Sequence, residues 1–421
     1  MKILFITDLY PINDSESRTP RTLHNFVFEW IKQGHHVDVI RPNFIFNSVL
    51  RGKKLYPDGF YEYEDVKIFN VNYFTPFLFD FLKKLPKEFY FNEYDVVIAH
   101  MPSGIIFANK LVKTIKKPLI CGVHTSDIEV LTNPIYKFYF KTQLEDAYKN
   151  SKKIACRSFV LEKNFKKLMP EFAEKTFVAP SGVELNLVGQ VCPTYYSTIK
   201  ILTCANLIKR KNIDKLILAL RIRKNPKNGS FLRFFKSDLG SARPHPSYGI
   251  AGGMEASRTR ELARKIPNFS ASSIKDLEDF ELTIIGDGKE LKKLKSLSRS
   301  GILARQHKIK FLGRLSHKKV LEQMQTANIF ILPSVDETFG MVYLEAMASG
   351  CVTVCTKNDG IDGIIKDGEN GFLTEATVDG IKETLLKIKS TKNIEKIIKN
   401  SIETVKKYSP EACAEKYLEQ I

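Results

Sequence analysis

The stretch "NIFILPSVDETFGMVYLEAMASGCVTVCT" (residues 328–356) decides how this chain is read. Its opening, "NIFILPS", is a short apolar run and predicts a buried strand. "MVYLEAMASG" (341–350) is made of helix formers and predicts a helix stopped by Gly350. "CVTVCT" (351–356) returns to strand character. A strand, a helix and a strand in so short a span make a crossover unit of a parallel sheet. Glu337 falls in the strand-to-helix turn beside Thr338, Phe339 and Gly340, and Glu345 falls two turns further on, inside the helix. A glycine there lets backbone approach a ligand, and the first free N–H groups of the helix carry partial positive charge. Glu345 would then sit about 12 Å further along a regular axis, within reach of a second part of one elongated ligand.

The same texture runs outward in both directions. Strands are predicted at 2–7, 36–40, 95–100, 118–124, 153–158 and 176–180, with helices over 20–34, 104–115 and 135–150. Near residue 190 the pattern lapses into "GQVCPTYYST", read as a linker over 191–198. A second series of strands follows at 199–205, 280–286, 308–313, 328–334 and 351–356, and the chain closes in a Lys-rich amphipathic helical tail. The reading is an α/β chain of two doubly wound domains, 1–190 and 199–385, with a tail over 386–421. Ligands of such sheets bind beyond the carboxyl ends of the strands, which places a cleft between the two units. Residues 224–274 break the texture: Arg replaces Lys, strand periodicity disappears, and the span exceeds what a crossover needs. They read as an insertion remote from the chemistry.

At 421 residues, 43% hydrophobic and 27% charged, the chain can bury a sizeable core and is not a disordered polymer. Seven scattered cysteines without CxxC spacing indicate neither a disulfide framework nor a zinc site. The apolar run at the N-terminus is too short for a signal peptide, and no stretch is long enough to span a bilayer, so a cytoplasmic setting is expected. A net charge of +18 fits surface solvation, an anionic membrane, anionic substrates or nucleic acid. No helix-turn-helix, RNP or zinc pattern supports nucleic acid, so no nucleic-acid partner is expected.

A nucleotide sugar has the shape the two glutamates would serve. Hydroxyls at its ends want carboxylates, and its central diphosphate wants N–H groups and cations. The plainer reading of the same pair is a capping glutamate and a surface glutamate, and the surroundings separate the two. The block over 333–350 resembles the "PS-x-x-E-x-FG-x-x-x-x-E-A-M-A-x-G" signature of family 4 glycosyltransferases of GT-B fold, the group that includes capsular and lipopolysaccharide transferases. "ANLIKRKNIDKLILAL" (205–220), "LTIIGDGKELKKL" (282–294), "IKFLGRLSHKKV" (309–320) and "GIDGIIKDGENGFL" (360–373) fall in that family's order, as do "HTSD" (124–127) and "APSGVE" (179–184) upstream.

The resemblance implies two Rossmann-like domains facing a central cleft. It implies Glu337 on the donor-sugar hydroxyls beside Phe339 and Gly340, Glu345 on the nucleotide ribose, and Gly286 in the donor domain. Lys211 matches the lysine that neutralises the diphosphate. Its usual arginine partner is replaced by Asn206, leaving Arg210 to assist. His124 matches the histidine that contacts the transferred sugar, with Asp127 a weaker candidate. The Gly-Gly turn common after the first strand is absent: Thr19 and Pro20 stand there, and Arg18 or Arg21 would have to supply charge instead.

The reaction so implied is transfer of a hexose-type unit from a nucleoside-diphosphate sugar to an acceptor hydroxyl. It keeps anomeric configuration and needs no cofactor or metal. An aromatic and basic stretch, "FLFDFLKKLPKEFYF" (77–91), with "NKLVKTIKK" (109–117), points to a lipid-linked acceptor at an anionic membrane surface. A retaining glycoside hydrolase would need its carboxylates about 5 Å apart, which the eight-residue spacing disfavours. A nucleotide-sugar epimerase of the same fold is the remaining alternative.

Overall fold

The computed structural model describes residues 1–12, 21–45, 55–73, 85–86, 89–184, 198–220, 280–299 and 309–421. The linker over 191–198 lies outside them except for its last residue, and the insertion over 224–274 lies wholly outside.

The first sheet contains β1 (Lys2–Thr7), β2 (His36–Phe44), β3 (Gly59–Tyr63), β4 (Val66–Tyr73), β5 (Val96–His100), β6 (Leu119–Val123), β7 (Lys153–Cys156) and β8 (Thr176–Val178). Their order across the sheet is β3-β4-β2-β1-β5-β6-β7-β8. All neighbours are parallel except the hairpin pair β3 and β4. Helices α1 (Thr22–Lys32), α2 (Met101–Ile115), α3 (Thr125–Thr132), α4 (Pro134–Asn150) and α5 (Phe159–Leu168) connect them. The continuous apolar runs make sense here, because β1, β5 and β6 are covered on both faces and almost every residue is buried.

The second sheet is fully parallel, in the order β11-β10-β9-β12-β13-β14. Its strands are β9 (Ile199–Cys204), β10 (Phe280–Ile285), β11 (Ile309–Gly313), β12 (Ile329–Leu332), β13 (Val352–Thr356) and β14 (Phe372–Thr374). Around them lie α6 (Ile213–Ala219), α7 (Leu291–Arg299), α8 (His317–Gln325), α9 (Met341–Ala348), α10 (Val378–Ser390) and α11 (Ile394–Lys406). The strand order reverses between β1 and β5 in one sheet and between β9 and β12 in the other. These are the two places where an open parallel sheet leaves a crevice at its carboxyl edge.

The β3–β4 hairpin and β14 were not expected, since they are short or carry mixed polar residues. The tail is helical, as expected from its Lys-rich amphipathic sequence. It is three helices, and the last, α12 (Pro410–Leu418), leaves the second sheet and packs on α1 of the first. There Trp30 donates its indole N–H to the Ala414 carbonyl at 3.0 Å. Cys413, Ala414 and Tyr417 complete one apolar layer of the first sheet with Phe26, Trp30 and Ile3. Gly182 permits the crossing, because a Cβ at that position would stand 2.4 Å from Pro410 backbone.

Candidate functional site: the carboxyl edges at the two switch points

The loop leaving β12 carries Ser334 to Gly340, and the loop leaving β9 carries Asn206 to Asn212. Because β9 and β12 are neighbours, the loops lie side by side and are tied by backbone. Val335 donates its N–H to the Arg210 carbonyl at 2.9 Å, and the Asn212 amide donates to Pro333 at 2.9 Å. The Arg210 guanidinium donates to the Asp336 carbonyl at 2.8 Å. Asp336 is held at φ +58°, in the left-handed region. The Asp359 carboxylate fixes that turn by accepting the N–H groups of Asp336 at 2.6 Å and of Glu337 at 2.8 Å. Burial pushes the Asp359 carboxyl up to about 6.

This scaffold brings Glu337 and Lys211 together. The Lys211 ammonium makes an ion pair with the Glu337 carboxylate. The same oxygen accepts from the Ser334 hydroxyl at 3.0 Å and lies 3.8 Å from the Arg210 guanidinium. Two cations thus face the Glu337 carboxylate at a strand edge, with the Asp359 carboxylate behind the turn; cations able to turn to an anion, beside a carboxylate able to take hydroxyls, suit a polyanion flanked by hydroxyls. Gly340 opens α9 at φ +85°, and a Cβ there would stand 2.6 Å from the Tyr343 ring. Phe339 is buried beneath the loop. Within α9, the Glu345 carboxylate lies 3.0 Å from His317 Nε2, and that contact raises the imidazole pKa.

Gly286 and Asn206 have a more structural placement. Gly286 takes φ +131°, and a Cβ there would lie 1.8 Å from the Ala205 carbonyl oxygen. The glycine is what allows the loops after β9 and β10 to touch. Asn206 is exposed on that loop.

On the facing edge, His124 follows β6 and precedes α3. Its backbone N–H donates to Asp127 at 2.9 Å. Asp127 is fully buried and also accepts from the Tyr148 hydroxyl at 3.2 Å, while burial pushes its carboxyl up to about 7. Asp127 therefore anchors the start of α3 and offers nothing to a ligand, which corrects its candidacy. His124 is 9% exposed. The next residue, Thr125, shares a hydroxyl–hydroxyl hydrogen bond with Thr338, the neighbour of Glu337. That bridge joins the loop carrying His124 to the loop carrying Glu337. A second contact joins the halves where Gly363 meets Phe159, whose Cβ would lie 3.1 Å from a Cβ on the glycine.

Arg21 is not held for a ligand: it pairs with Glu64 and lies over the Tyr63 ring at 5.8 Å. Arg18, Thr19 and Pro20 lie outside the described residues. Sequence reasoning missed Asp359, Ser334, His317, Thr125 and Thr338 as parts of the site. Ser334 and Thr338 were inside the decisive stretch, and His317 and Thr125 were inside the quoted blocks 309–320 and 124–127, whereas Asp359 carried no signal beyond a loop aspartate.

Residues 19–187 match the profile described as Glycosyltransferase Family 4, and residues 256–404 match the one described as Glycosyl transferases group 1. The chain belongs to the group 1/family 4 glycosyltransferases of GT-B fold. Among members, it is 35% identical over 143 residues to an uncharacterized glycosyltransferase of Methanocaldococcus jannaschii, covering 34% of this chain and 40% of that one. It is 23% identical over 292 residues to the phosphatidyl-myo-inositol mannosyltransferase of Mycobacterium tuberculosis, covering 69% of this chain and 62% of that one. The matched segments thus span less than two thirds of these glycosyltransferases. The fold is that of Anabaena HepE in complex with UDP-glucose, at a TM-score of 0.62 and 16% identity over 100% of this chain and 98% of that one.

Proposed function

We propose that this chain moves a hexose-type sugar from a nucleoside-diphosphate sugar to the hydroxyl of a lipid-linked acceptor. The observation that carries the reading is the pairing of Lys211 with Glu337 at one switch point, bridged through Thr338 and Thr125 to His124 at the other. Bound donor would draw Lys211 and Arg210 onto its diphosphate and free the Glu337 carboxylate for sugar hydroxyls. Glu345 would exchange His317 for the ribose. The bond from the anomeric carbon to the phosphate oxygen breaks, with its electron pair leaving on the nucleotide. The acceptor oxygen bonds to the same face of that carbon, so configuration is kept, and its proton passes to the departing phosphate. Lys211, Arg210 and the N–H groups opening α9 supply the positive charge that stabilises the leaving group.

The acceptor end rests on the first domain. A small cavity of about 70 Å³ lies at the ends of β1 and β5, walled by Phe44, Ile106, Tyr136 and Phe140 with Asp8 and Glu129 at its polar side. Among the described residues Asp8 Oδ1 is buried there without a hydrogen-bond partner, as a hydroxyl-binding carboxylate would be. Tyr136 and Phe140 belong to α4, and the outer face of α4 presents Ile135, Phe138 and Tyr139 at 68, 82 and 52% exposure. Lys137 and Lys141 flank them. An apolar patch edged by cations suits the interface of an anionic bilayer. Of the segments chosen from sequence, much of 77–91 lies outside the described residues, and Asn109 and Lys113 of the other bond to Asp146 of α4. Among the described residues no helix is long and apolar enough to cross a membrane. The relative named for a phosphatidyl-inositol acceptor points the same way.

A panel of nucleotide sugars, each scored first by thermal shift and then by transfer to a lipid extract, tests the reading. A true donor at a hundred times its Kd adds about 2.7 kcal/mol of stability. Glu337→Gln and Lys211→Ala should each lower transfer by about 100-fold or more. Full transfer by either variant overturns the assignment, and donor turnover without acceptor would mark an epimerase.

A further inference from the structure

Behind the cleft, His124 leans on buried polar groups that the transfer reading leaves unused. His124 Nε2 lies 3.0 Å from His100 Nδ1. His100 Nε2 in turn lies 3.2 Å from the Tyr417 hydroxyl on α12. His100 and Tyr417 are both wholly buried. Room for the His100 ring is made by Gly122, its register partner on β6, because a Cβ there would stand 2.2 Å from the imidazole. Phe5 packs against the ring with centroids 5.4 Å apart. The Arg157 guanidinium lies near this group and is itself anchored on the Ala179 carbonyl at 3.0 Å and on Ser181.

Burial and the Arg157 charge keep both imidazoles neutral at physiological pH; His124 is pushed down to about 3. A neutral imidazole has one N–H and one bare nitrogen. The protons in the two contacts must therefore run in one direction along the chain, and reversing one reverses all. A ring so coupled cannot change tautomer alone, nor rotate without breaking a buried hydrogen bond.

We infer that His100 and Tyr417 are positioning residues that lock His124 in a single tautomer and orientation, so that the C-terminal helix is a working part of the site on the first domain. Its importance for turnover rests on the transfer reading, whereas the lock itself does not.

The test uses the full chain labelled with 15N-histidine and long-range proton–nitrogen NMR, with wild type compared with Tyr417→Phe. In wild type, His124 should give one strongly protonated and one bare nitrogen signal. In Tyr417→Phe, which keeps the ring and leaves the Trp30 anchor untouched, those signals should move toward the tautomer average. If the His124 signals are averaged in wild type, or identical in the variant, the lock does not exist. For a donor found by thermal shift, the variant should lose about tenfold in kcat with an unchanged donor KM. A change confined to KM, or full activity beside altered NMR signals, overturns the positioning role while leaving donor binding intact as a separate result.

Discussion

Glu337 is the residue on which the site turns, and it is held twice over. Its amide is fixed by Asp359 and its carboxylate by Ser334 and Lys211. Asp359→Ala removes both amide acceptors and should cost about 2 kcal/mol of stability together with most transfer, read by thermal unfolding and by product formation. Gly340→Ala meets both a left-handed backbone and the Tyr343 ring, and should destabilise by about 1–3 kcal/mol. Buried His124 also predicts a pH dependence. Its native pKa lies below that of the unfolded chain, so its contribution is full above about 6.5 and is lost as pH falls toward about 3. Relative to wild type, His124→Asn should gain up to about 1.4 kcal/mol per pH unit through that window and hold a constant difference above it. Urea unfolding at a series of pH values checks this.

At the scale of elements, the alternation of apolar runs and helices was enough to read both parallel sheets, because strands buried on both faces are apolar throughout and cannot hide. Residues 328–356 fold as read, with β12, α9 and β13 in sequence and Gly350 at φ +82° after the helix. What stayed hidden was of two kinds. The β3–β4 hairpin mixes polar and apolar residues, since Phe60 and Glu62 face outward, and so lacks the buried-strand signature. Contacts between elements far apart in sequence, such as Thr125 with Thr338 or Tyr417 with His100, leave no local pattern at all. Among the candidate site residues, Lys211 and Glu337 were named by the family resemblance, and the structure sets them side by side. Asp127 misled because a buried carboxylate that opens a helix reads the same as one that meets a ligand. On α4, Phe138→Ser should weaken binding to phosphatidylglycerol-containing vesicles by about 10-fold or more. Flotation measures it, and equal recovery of wild type and variant would remove the membrane face.

The whole molecule is two sheets joined at their carboxyl edges and fastened again from behind by α12. Surface lysines that pair along helices, as Lys141 with Glu145 or Lys166 with Glu162, cancel and leave the +18 excess on the remaining lysines and arginines. Such exposed pairs add little stability each. The fastening matters more: Trp30→Ala should cost about 3–5 kcal/mol, measured by denaturant unfolding. That arrangement also sets an order of events during synthesis. The first sheet emerges early from the ribosome, yet the sides of Phe26 and Trp30 that meet Tyr417 stay uncovered until α12 arrives hundreds of residues later. A nascent chain halted before residue 409 would keep its sole indole wet, with red-shifted emission. Release of residues 410–418 would turn that emission blue, so the indole reports the docking of α12.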